Sequence, residues 1–98
     1  MIAFEVSVNG RVIQTVGAGE KGMIRTELMW ACFTRQSGGD WSELQLSSRG
    51  MNGEGSAHLS WDTWHCRTGD EVTIRIVERD AVDPPDETTP AKPRPGRG

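Results

Sequence analysis

The sequence predicts an all-β fold: a small antiparallel sandwich or partly open barrel of about six strands, with a disordered C-terminal tail. Three observations carry this. Short runs of alternating apolar and polar residues recur along residues 1 to 79, the two-residue period of a half-buried strand. Glycine-rich turn signals separate these runs, with no alternation of strand and helix patterns. All five prolines fall at or after residue 84, so the preceding segment keeps every backbone donor available for sheet ladders.

The opening run IAFEVSV places Ile2, Phe4, Val6 and Val8 on one side and Ala3, Glu5 and Ser7 on the other. Asn9-Gly10 suits the positive φ values of a tight hairpin turn, so RVIQTV returns antiparallel. A strict two-residue turn sets Ile13 opposite Val6 and leaves Val12 and Val16 on the other face; one extra residue, forming a bulge, reverses that choice. After GAGEKG, the run MIRTELMWACF aligns Ile24, Thr26, Leu28, Trp30 and Cys32. A helix would also group Ile24, Leu28 and Ala31 and indicate a β-grasp arrangement, but Gly22 and the exit SGGD favour a strand over residues 22–33.

Downstream, SELQLSS turns Leu44 and Leu46 inward, RGMNGEGS reads as a turn region, and SAHLSW aligns Ala57, Leu59 and Trp61. TGDEVTIRIVE gives a turn at Gly69-Asp70 and then a strand with Val72, Ile74 and Ile76 expected in the core. Between these strands, SWDTWHCRTGD reads as a capped connector. Ser60 caps a short helical turn, Asp62 and Arg67 suit its two ends, and Gly69 lies just past it.

The proline distribution divides the chain into a compact β domain over residues 1–79 and a flexible, partly polyproline-II tail over 80–98. A domain of this size buries enough surface to fold without crosslinks. Net charge is −3, with 11 Lys plus Arg against 14 Asp plus Glu, and residues 1–78 hold seven bases against ten acids. That field opposes a polyanion, so no nucleic-acid partner is expected. Only two cysteines are present, and MIAFEVSVNG lacks the basic and apolar segments of a secretory leader, so a reducing, cytoplasmic setting is expected. No apolar run approaches the roughly 18 residues of a membrane span, so no membrane partner is expected.

The ordered motifs VNG, AG, G-M-I-x-x-x-L-x-W, H-L-x-W and GDEVTIRIVE followed by DPP cover most of residues 4–85. In these the chain resembles short bacterial proteins of unknown function. The resemblance implies a small bacterial β protein and carries over no activity, cofactor or site residue.

Candidate chemistry is sparse. Cys32, His58, His65 and Cys66 formally supply two thiols and two imidazoles, but adjacent His65 and Cys66 diverge in an extended chain and no pair has zinc-ligand spacing. Nor is either cysteine spaced to use a histidine as base, and free cysteines are most often small buried hydrophobes, so both are expected in the core. Asp62, Asp70 and Glu71 are explained by turns and caps. GAGEKG lacks P-loop spacing. Hence no catalytic residue, metal or cofactor is assigned, and a non-enzymatic protein is expected.

The four tryptophans, against two phenylalanines and no tyrosine, are the informative feature. Trp30 and Trp61 share parity with apolar neighbours and are expected in the core. Trp41 and Trp64 sit in loop-like segments, and with His65 and Arg67 are candidates to border a contact surface. The reading is a protein-interaction module whose partner is another protein or a second copy of itself, with edge pairing into a dimer natural for so small a sheet. The alternative is a small-ligand or carbohydrate-binding module that stacks its ligand on exposed tryptophans.

Overall fold

A computed structural model describes residues 1–91. It is all-β: strands β1 (Ile2–Val8), β2 (Arg11–Gly17), β3 (Gly22–Thr34), β4 (Asp40–Asn52), β5 (Ala57–Ser60), β6 (Trp64–His65), β7 (Val72–Glu78) and β8 (Glu87–Pro90). They form two antiparallel sheets. One has the order β2-β1-β7; the other runs β3-β4-β5-β8, with β6 also paired to β4. The sheets do not close into a barrel. The described residues contain no helix, and so none long and apolar enough to cross a membrane.

The first hairpin follows from its turn. Asn9 and Gly10 take φ of 53° and 80°, the positive pair that matches strand twist. The turn is the strict two-residue form, with Val8 opposite Arg11, but a bulge lies inside the hairpin: the pairing slips between Val6↔Gln14 and Ser7↔Val12, leaving Ile13 as the extra residue, so neither of the two expected facings holds in full. The slip keeps Val16, opposite Phe4, on the inner face while Val12 turns out. β7 pairs with the other side of β1, setting Ile76 opposite Phe4, Ile74 opposite Val6 and Val72 opposite Val8. Asn9 ties the far end of this sheet: its side chain accepts the Glu71 N–H and donates to Asp70, both at 2.9 Å.

Residues 22–33 are a strand, as the glycine punctuation indicates; β3 and β4 pair without a break over thirteen residues each. Their connection turns at Gly38 and Gly39, with φ of 87° and 81°. At the other end of β4, the Asn52 side chain accepts the Ser56 and Ala57 N–H groups and folds the chain back into β5.

The sheets meet face to face where Val6 and Val8 pack with Leu46, joined by Phe4, Ile13, Cys66 and Val72. Trp61 is buried, as its parity indicates, and its indole N–H donates to the Asp83 carbonyl at 2.9 Å. Asp83 also exchanges backbone and carboxylate bonds with Thr15 of β2. The segment after β7 therefore straps the β2 edge of one sheet to the Trp61 region of the other, then adds β8 beside β5. Residues 80–91, expected in the flexible tail, run along the domain. The tail assignment for 92–98 lies outside the described residues.

Several core expectations are corrected. Ile76 is 73% exposed, Ile74 is exposed, and Trp30 is 70% exposed although it shares a face with Leu28 and Thr26. Cys32 is exposed and only Cys66 is half-buried. Residues 60–70 hold no helical turn. Ser60 ends β5, Trp64 and His65 form β6, and Asp70 rather than Ser60 does the capping, accepting the Arg67 N–H at 2.8 Å.

Candidate interaction surface

Leu28, Trp30, Ile74 and Ile76 are exposed for a topological reason. The strap closes the β2 edge against the β5 and β6 side. Among the described residues, the edges left without a cover are β7 in one sheet and β3 in the other. Ile74 extends the inner face beside buried Val6, and Leu28 extends the facing inner surface beside buried Leu46. The same two walls continue outward to Ile76 and Trp30. We call this side the open mouth: the β3 and β7 faces adjoin the shared core at Leu46 and Val6 and carry exposed Leu28, Trp30, Ile74 and Ile76. Large apolar side chains exposed together on two edge strands make this side a candidate contact site.

The hairpin beyond the mouth carries a second aromatic feature. On its opposite face Phe33 and Trp41 stack at 5.7 Å between centroids and 13° between planes. Cross-strand aromatic pairs of this geometry stiffen a hairpin that has no third strand at its tip.

The candidate residues divide between two places. Trp64, His65 and Arg67 line one groove with Val8, Asn9 and Asp70, brought together because β6 docks on β4 at Gln45 and Leu46. Trp41 stands apart, in the hairpin. Both Trp41 and Trp64 lie in strands rather than loops. In the groove, Asp70 accepts hydrogen bonds from the Arg67 backbone and from Asn9, which hold its carboxyl below the ordinary carboxylate range. The Cys66 thiol is pushed up by burial first and by the Asp70 charge second, which disfavours the thiolate that a nucleophile requires. Among the described residues no group of three or more His, Cys, Asp or Glu could hold a metal ion.

Parity analysis missed Leu28, Trp30, Ile74 and Ile76 as surface residues because it took every apolar face to be covered. The alternation gives no signal of which face lacks a neighbour; the imbalance between the sheets, three strands against five, emerges only in the fold. Comparison with known proteins finds no match: no family model, no curated protein and no solved structure is similar to this chain.

Proposed function

We propose that this chain is a non-enzymatic protein-interaction module whose working surface is the open mouth between β3 and β7. The observation that carries this is the pairing of solvent-exposed Leu28 and Trp30 on one wall with exposed Ile74 and Ile76 on the other, both continuous with the buried core. A partner that inserts apolar side chains there completes the sandwich and removes that surface from water, at roughly 25 cal/mol per Å² of apolar area buried. A saccharide-stacking role draws less support. One face of Trp41 is occupied by Phe33, Trp61 is buried, and Trp64 lines a polar groove beside Asn9, His65, Arg67 and Asp70 in which no second exposed indole stands to complete a stacking platform.

The reading is tested by affinity capture from cells that also make an untagged copy, comparing tagged native chain with Leu28→Asp and Ile76→Asp. Both substitutions sit at exposed positions, so the buried core should keep its packing. A protein, the untagged copy included, should be retained stoichiometrically by the native chain and released by both variants. Equal retention by all three chains sinks the proposal.

A further inference from the structure

Edge strands present a row of unpaired backbone N–H and C=O groups, and folded proteins blunt them with bulges, prolines, charges or brevity. Three edges here are treated in this way. β2 carries the bulge and is bonded at Thr15 by Asp83. β8 has four residues and ends in Pro90, and β7 has seven with Arg75 at its centre. β3 is not. It offers thirteen residues with no proline, no register shift and only two charges, Arg25 and Glu27.

Those two charges are placed to select a partner strand. Arg25 lies directly across from Arg49 of β4, a like-charge pair that weakens the hairpin, and neither arginine has an ion-pair partner among the described residues. Resting on the protein-binding reading above, we propose that the mouth is filled by a second copy of this chain, joined through antiparallel pairing of β3 with the partner's β3 about a two-fold axis at Thr26. That register sets Arg25 opposite the partner's Glu27 and Ile24 opposite the partner's Leu28, each twice, with Met23 opposite the partner's Met29. With the axis perpendicular to the sheet, no other register opposes the two charges. Centring on Arg25 or Glu27 stacks like on like, and centring on Leu28 leaves both charges opposite apolar side chains. The pairing joins the two larger sheets into one and brings each copy's apolar β3 wall alongside the other's mouth.

The experiment is light scattering after size exclusion on the full chain, native and charge-altered. The native chain should elute at twice its 10.8 kDa mass. Arg25→Glu and Glu27→Arg should each weaken association about tenfold or more at low salt, because each puts two like-charge contacts into the dimer. Arg25→Glu also faces Arg49 across the hairpin, which favours the folded monomer, so its loss of mass does not report unfolding. An equimolar mixture of the two variants should regain the dimer, since every opposed pair is again opposite in sign. As a second readout, Thr26→Cys in a Cys32→Ser, Cys66→Ser background lies on the axis and should form an intermolecular disulfide on oxidation. A monomeric native chain, an unaffected single variant or a mixture that stays monomeric overturns the pairing. If the native chain is monomeric while Leu28→Asp releases a different protein, this pairing fails and the protein-binding reading stands.

Discussion

At the scale of single residues, Asp70 shows how a side chain fixes a groove through its hydrogen bonds. It accepts the Arg67 N–H at 2.8 Å and the Asn9 amide at 2.9 Å, tying the turn after β6 to the hairpin between β1 and β2. Both bonds favour the charged form, so its carboxyl titrates lower in the folded chain than in the unfolded one. A group of this kind stabilises the fold fully above its unfolded value, about 3.9 for aspartate, and the contribution is lost as pH falls through the depressed folded value. Asp70→Asn removes the charge at every pH. The native chain should therefore be the more stable of the two at neutral pH, and the gap in denaturant midpoint should close as pH drops below about 4. A gap that stays constant down to pH 2 contradicts this role.

At the scale of elements, the long hairpin depends on a close approach that only glycine permits. Gly50 lies across from Ile24, and a Cβ built there runs into the Met23 carbonyl oxygen and the Ile24 side chain. Gly50→Ala should cost about 1–3 kcal/mol, the usual penalty for overpacking, read as a lower urea midpoint with unchanged slope. Cost-free substitution would mean that the two strands are not paired as described. The hairpin also shows what was legible beforehand. Alternation over Ile24, Leu28 and Trp30, with Gly22 before it and Gly38-Gly39 after, is enough to identify a strand and its turn. Alternation assigns residues to faces but does not say which face has a neighbour. So Trp61, held by its bond to Asp83, is buried as its parity requires, whereas Trp30, Ile74 and Ile76 have the same parity signal and no sheet above them. The strap over residues 80–91 was hidden for a different reason. Asp-Pro-Pro composition reads as loop, and it holds its place through carboxylate and carbonyl bonds to Thr15, Asp62 and Trp61 rather than through an apolar pattern.

At the scale of the whole molecule, a chain of this length ordinarily folds to a radius of gyration near 12–13 Å. This one measures 16.2 Å, and among the described residues the buried apolar side chains are Ala3, Val6, Val8, Val16, Leu46 and Trp61. So small an interior leaves little margin over the entropy of ordering the chain, and association that covers the mouth adds directly to it. Stability should then depend on concentration, because a dimer that unfolds to two separate chains is favoured by mass action. Across a tenfold rise in protein concentration the melting midpoint of the native chain should increase by about 2–4 °C. Leu28→Asp, which places a charge in the apolar wall formed by β3, should melt at a lower temperature with a midpoint that does not move with concentration. Scanning calorimetry of both chains over two decades of concentration decides it. A native midpoint as flat as that of the variant would mean that the extended shape is stable alone, and that the apolar mouth adds nothing to folding by pairing with its own kind.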